Sequence, residues 1–114
     1  MNDCLFCKIV RGEIPSTSVY EDDVCMAFDD LSPQAPTHIL VIPRQHLDSM
    51  DKAAPENKEM LGHLLLISAE IARQNGFAND GYRLVINTNA DGGQTVFHLH
   101  VHLLAGRPFI FPPG

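Results

Sequence analysis

Three histidines alternate with aliphatic residues late in the chain: His98-Leu99-His100-Val101-His102, followed by Leu103 and Leu104. A period of two is the period of a β-strand, so the imidazoles share one face and Leu99, Val101 and Leu103 the other. Successive histidines on such a face lie roughly 6–7 Å apart. Imidazole changes charge and binds metals near neutral pH. A neutral imidazole nitrogen is also a nucleophile, and the covalent intermediate it forms can be reopened by water. Neighbouring imidazoles can stabilise charge or move protons. His100, flanked on both sides, is the expected nucleophile. A solvated face or a metal-binding tract is the competing reading of the pattern.

Immediately before this row lies Asp91-Gly92-Gly93-Gln94-Thr95. Paired glycines let a backbone approach a ligand closely and turn its N–H groups toward an anion. Gln94 and Thr95 add side-chain donors. Alone, the loop reads more readily as an ordinary hairpin turn; next to three histidines it is expected to cradle a phosphate. Near the other end, Cys4-Leu5-Phe6-Cys7 has a spacing that suits zinc. Two more ligands are needed, and His46 and His98 are the candidates. The alternative is a metal-free cysteine pair on an apolar helix. His38, within an apolar run, reads as a hydrogen-bonded core histidine or as a group that orients the others. Asp30 could simply open a turn before Pro33. Cys25 reads as a small buried residue, and His63 is expected in solvent.

The elements that must position these groups follow from periodicity. Residues 4–11 read as a short helix stopped by Gly12 and Pro15. Residues 18–21 and 24–28 read as two strands joined by a turn at Asp22-Asp23. A Pro-containing loop over 29–36 leads to 37–42, an aliphatic run expected as a central strand buried on both faces. Pro55 opens a long amphipathic helix that Asn75-Gly76 closes. Residues 81–86 read as a strand, 87–95 as a loop and 96–104 as the histidine strand. Residues 107–114, with three prolines, are expected to be extended. Helix, three strands, long helix and two strands make an α+β fold with an antiparallel sheet.

The sequence has 114 residues, enough for one domain spanning 1–114. Its net charge of −6 disfavours sequence-independent binding to a nucleic acid polymer. No stretch is long and apolar enough for a membrane span. Met1-Asn2-Asp3-Cys4 lacks the basic and apolar regions of a secretory signal, so the cytoplasm is the expected compartment. An odd count of three cysteines does not suggest a disulfide framework.

The histidine row, with Leu103-Leu104, resembles the His-φ-His-φ-His-φ-φ signature of the histidine-triad (HIT) superfamily, φ being apolar. More narrowly, the chain is similar to its Hint branch of purine nucleoside phosphoramidases. Phe6-Cys7-Lys8-Ile9-Val10, Glu13-Ile14-Pro15, residues 30–38, Gly81-Tyr82-Arg83, Asp91-Gly92-Gly93-Gln94 and Pro112-Pro113-Gly114 carry the likeness across nearly the whole chain. The resemblance implies a five-stranded antiparallel sheet, extended to ten strands in a homodimer. It implies hydrolysis of the P–N bond of a purine nucleoside phosphoramidate through a nucleotidyl-histidine, with no cofactor required for catalysis. By position His100 is then the nucleophile, flanked by His98 and His102 and supported by His38. Asp30 is expected at the ribose; Asn87, Gly93, Gln94, Thr95 and Val96 at the phosphate; Phe6, Ile9 and Phe28 at the base. Superfamily members with a cysteine pair at this place often hold a structural zinc, here through Cys4, Cys7, His46 and His98. Thr95 stands where many Hint members carry Ser, and Phe111 where many carry a Trp that reaches the partner's site. A dinucleoside polyphosphate hydrolase and a nucleotide- or zinc-binding interaction module with little turnover are the alternatives.

Overall fold

Strand β3, Thr37–Pro43, is buried along nearly its whole length and carries the rest of the sheet on both sides. Thr37-His38-Ile39-Leu40-Val41-Ile42 is rich in β-branched and aliphatic side chains, which fit a strand covered on both faces. In the computed structural model, which describes residues 3–114, it lies at the centre of a five-stranded antiparallel sheet. Met1 and Asn2, the start of the segment read above as lacking signal character, lie outside the described residues. The other strands are β1 (Ser18–Glu21), β2 (Cys25–Asp29), β4 (Tyr82–Val85) and β5 (Val101–Ala105), in the order β1-β2-β3-β5-β4. Two helices complete the fold, α1 (Leu5–Val10) and α2 (Lys58–Gln74).

The two faces of the sheet have different cores. Ile39, Val41, Val101 and Leu103 pack with Cys25, Ala27 and with Leu64, Ile71 and Ala72 of α2. Leu40, Ile42, Met26 and Phe28 pack on the opposite face with Phe6 and Ile9 of α1. Each fully buried aliphatic side chain contributes about 1.5–3 kcal/mol. Leu99, Val101 and Leu103 are all essentially buried on the α2 side. A slip of one residue would exchange them for three imidazoles. Their burial therefore fixes which way the histidines face.

Several boundaries differ from the sequence reading. The histidine strand begins at Val101, not at residue 96. Its partner β3 pairs Val41 with Val101, and two residues further on β3 ends at Pro43, which has no N–H to extend the ladder. Residues 96–100 turn instead to the segment after β3, where the Leu99 N–H donates to the Leu47 carbonyl at 2.7 Å. The alternation of facing survives without the ladder: Leu99 packs in the α2-side core, while His98 and His100 pack against Phe6. The long helix starts with a 3-10 turn, Pro55–Asn57, before α2 proper. Cys25, rather than Val24, opens β2.

His63 is not the solvated residue expected. Its Nε2 donates to Asp22 Oδ2 at 2.6 Å and ties α2 to the β1–β2 hairpin. Tyr20 Oη donates to the same oxygen, and the Val24 and Cys25 N–H groups donate to Oδ1. Burial works against the Asp22 charge. The bonds from His63, the two N–H groups and Tyr20 outweigh it and hold the carboxyl well below the usual carboxylate range. Burial, more than the nearby Asp22, pushes the Cys25 thiol up to about 12, consistent with an inert packing role.

Candidate active site and metal centre

On the α1 face of the sheet, His38 from β3 and His102 from β5 meet through His38 Nε2 and His102 Nδ1, 2.9 Å apart. The direction of this bond follows from the third partner. The Gln34 N–H donates to His38 Nδ1 at 3.0 Å, so the His38 proton sits on Nε2 and is given to His102. His102 therefore carries its own proton on Nε2. That atom is buried and has no hydrogen-bond partner among the described residues. Asp30 Oδ2 lies 3.4 Å from His38 Nε2 and steadies the same proton. An acceptor entering the site would satisfy the His102 donor, which otherwise costs about 1–3 kcal/mol.

His100 is fixed in the opposite tautomer. Its Nδ1 donates to the carbonyl oxygen of His98 at 2.7 Å, which leaves the lone pair on Nε2. The ring stands edge-on to Phe6, with centroids 5.1 Å apart, and 4.8 Å from the His102 ring. Burial is the main cause that lowers the proton affinity of His38, His98 and His100. Burial, reinforced by His100 and His38, pushes His102 down to about 4. The row is neutral near pH 7, the state in which imidazole is a nucleophile.

These groups line one cavity of about 630 Å³, within the range of about 300–1,000 Å³ for small-molecule sites. Phe6, Ile9 and Phe28 form an apolar end; His38, His100 and His102 line the floor. Asp30, Gly93, Thr95 and Val96 lie on its walls. Asn87, Gln94 and His98 do not line it. Gln94 turns inward and bonds main-chain groups, and His98, on the same face as His100, packs beside Phe6 and joins the neighbouring Cys/His cluster. Ile14, Ser16 and Gln34, which sequence reasoning did not select, also reach the cavity. Gln34 acts through its main chain on His38, and no side-chain pattern signals that.

The glycine pair splits its duties. A Cβ at Gly92 would stand 2.4 Å from the Thr88 carbonyl oxygen, so this residue permits close packing of the loop on itself. Gly93 adopts φ +84° at the cavity wall.

His98 belongs to a second cluster with Cys4, Cys7 and His46. His98 Nε2 donates to the Pro43 carbonyl at 2.8 Å, and His46 Nε2 donates to Asp48 Oδ1 at 2.6 Å. Both Nδ1 atoms therefore present lone pairs, and they face each other at 3.2 Å. The Cys7 Sγ lies 3.3 Å from His46 Nδ1 and 3.5 Å from His98 Nδ1, and the Cys4 Sγ 3.4 Å from His98 Nδ1. Tetrahedral zinc, with Zn–N about 2.0–2.1 Å and Zn–S about 2.3 Å, sets N–N edges of about 3.3 Å and N–S edges of about 3.5 Å. Opposed lone pairs, with a carbonyl and a carboxylate accepting the protons on the far ring nitrogens, are the donor set of such a centre. The residues present fit a zinc ion. Cys4 Sγ also accepts the Cys7 N–H and caps α1.

Residues 11–109 match the HIT domain. The chain is 52% identical over 106 residues to the purine nucleoside phosphoramidase of Escherichia coli K12, covering 93% of this chain and 89% of that one. It is 55% identical over 112 residues to a HIT-like protein of Synechocystis sp., covering 98% and 97% respectively. A HIT family hydrolase from Legionella pneumophila superposes with a TM-score of 0.97 at 47% identity, covering 98% of this chain and all of that one. A histidine triad protein from Clostridium difficile gives 0.93, also at 47% identity, with 96% of each chain covered. The chain belongs to the HIT family, in its Hint branch.

The His102 environment sets a pH dependence. The unfolded chain takes up this proton near the ordinary histidine value of about 6.5, the folded one only near 4. Stability is thus fully present above about 6.5 and is lost as the pH falls toward 4. Ring NMR should show His102 neutral with its proton on Nε2 at pH 6. A His102 ring that titrates at its ordinary value would contradict the burial and the tautomer chain.

Proposed function

We propose that the protein hydrolyses the P–N bond of purine nucleoside phosphoramidates through a nucleotidyl-His100 intermediate. The observation that carries this reading is the neutral His100, its Nδ1 proton held by the His98 carbonyl and its Nε2 lone pair left for attack. The E. coli relative, 52% identical over 93% of this chain, bears the name of that activity. Phe6, Ile9 and Phe28 suit the purine, Asp30 the ribose hydroxyls, and Gly93, Thr95 and Val96 the phosphate.

In the first step His100 Nε2 forms a bond to the α-phosphorus while the P–N bond breaks. The imidazolium that develops on His100 is stabilised by the His98 carbonyl through the Nδ1 proton. The leaving nitrogen takes a proton and departs as an amine. His102 Nε2 and the Thr95 hydroxyl are the donors at the cavity; the His98 proton is committed to Pro43 and lies outside it. Water then attacks the phosphorus, releases the nucleoside monophosphate and restores His100. Alkaline rapid quench with an adenosine phosphoramidate should trap an acid-labile adduct on His100. His100→Ala should lower turnover at least about 10³-fold. Near-normal turnover in that variant would reassign the attack to water. Faster cleavage of a dinucleoside polyphosphate than of the phosphoramidate would move the protein to that substrate class.

Cys4, Cys7, His46 and His98 would hold a structural zinc, which supplies cross-linking rather than chemistry on the substrate. The thiols suit the reducing cytoplasm, where cysteines remain available as ligands. About one zinc per chain is expected by elemental analysis, and chelation should lower the thermal midpoint by several degrees. Protein purified without zinc and unaffected by chelator would leave the cysteines as packing residues.

The molecule is a homodimer in this reading, with two sheets joined into ten strands. Support comes from β4 at an open sheet edge and from the exposed Leu65, Leu66 and Phe111. Sedimentation should give a mass about twice 12.6 kDa; a species at the single-chain mass at micromolar concentration would refute it.

A further inference from the structure

Gln94 lies between two cavity-lining residues, Gly93 and Thr95, yet its own side chain is buried and points away from the cavity. Its amide is spent on main chain. Oε1 accepts the Asn89 N–H at 2.9 Å, and Nε2 donates to the carbonyls of Val96 at 3.1 Å and Asp48 at 2.8 Å. The first two bonds close the 89–96 loop on itself. That loop turns through left-handed backbone at Asn89, φ +61°, and at Gly93, φ +84°. The third bond reaches Asp48, whose carboxylate accepts from His46 of the Cys/His cluster at 2.6 Å. Leu47, between them, accepts the Leu99 N–H and so holds the His98–His100 segment.

Residues 46–48 are thus a common anchor for the metal cluster, the nucleophile segment and the phosphate loop. We propose that Gln94 is a positioning residue: it shapes the loop for the phosphoryl group without touching it, and it couples the loop to the Cys/His centre through Asp48. This rests on the readings of the cavity as a nucleoside monophosphate site and of the cluster as a zinc centre. An amide with both donors and its acceptor engaged has little capacity left for a ligand. Removing it strands two carbonyls and an N–H in a half-buried place, so the loop must rearrange to satisfy them. The base and ribose contacts come from Phe6, Ile9, Phe28 and Asp30, none of which bonds the Gln94 amide. Because coupling between two binding sites is reciprocal, monophosphate at the loop should also retard loss of zinc.

The test uses zinc-loaded protein with Gln94→Met, which keeps the size and loses the bonds. Gln94→Glu is the second variant; it keeps the acceptor and sets a carboxylate against two carbonyl oxygens. Affinities are measured for a purine nucleoside and for its 5′-monophosphate, and zinc release to a chromogenic chelator is followed with and without the monophosphate. In both variants nucleoside affinity should stay within about twofold while monophosphate affinity falls about 10–100-fold. The monophosphate should slow zinc release several-fold in the wild type and leave it unchanged in the variants. Equal weakening of nucleoside and monophosphate would mean general destabilisation and overturn the positioning role. Undiminished monophosphate affinity would overturn it too, and zinc release indifferent to monophosphate in the wild type would overturn the coupling. Wild-type protein that binds the monophosphate no better than the nucleoside refutes the cavity reading itself, before any variant is compared.

Discussion

The hydrogen bond from His100 Nδ1 to the main-chain oxygen of His98 is the interaction on which the site depends. It decides which nitrogen of His100 is bare, and it makes that decision with a group that cannot be mutated away. A side-chain acceptor could rotate or protonate; a carbonyl does neither. Its position depends in turn on two anchors. His98 is tied to Pro43 by its ring, and Leu99 is tied to the α2 core by burial. Chemistry on one face of the segment is thereby held by packing on the other.

Three identical residues in one short segment perform three different tasks because their surroundings assign their protons differently. His98 turns its lone pair toward thiols, His100 toward the cavity, and His102 presents a proton there. The assigning groups are mostly main chain: the Pro43 and His98 carbonyls and the Gln34 N–H. His38 passes the last of these to His102 and, with Asp30 beside it, completes a relay from loop to cavity.

Much of this was legible in the sequence. The β-branched run 37–42 and the wide apolar stripe after Pro55 declared the central strand and the long helix, because burial on two faces or on one leaves opposite patterns. The histidine alternation gave the facing of residues 98–102 correctly. Where the strand begins was not legible, since it depends on where β3 stops offering partners, a fact about Pro43 and not about the histidines. Gln94 and Thr95 look alike as polar loop residues, and only the loop's fold separates the one that faces inward from the one at the cavity. The Asp22–His63 pair joins residues 41 positions apart and left no local trace.

The Cys4–His98 contact spans 94 positions of the chain. An ion shared by these residues would do for the unfolded chain what a long-range covalent bridge does: it would forbid most of its extended conformations. For a loop of that length the chain-entropy estimate is about 4–5 kcal/mol at room temperature. That is comparable to a large part of the net stability of a small domain, about 5–15 kcal/mol. A reducing environment, which denies such a protein a disulfide, would leave it this reversible substitute, and the availability of metal would then set how much random coil the chain can explore.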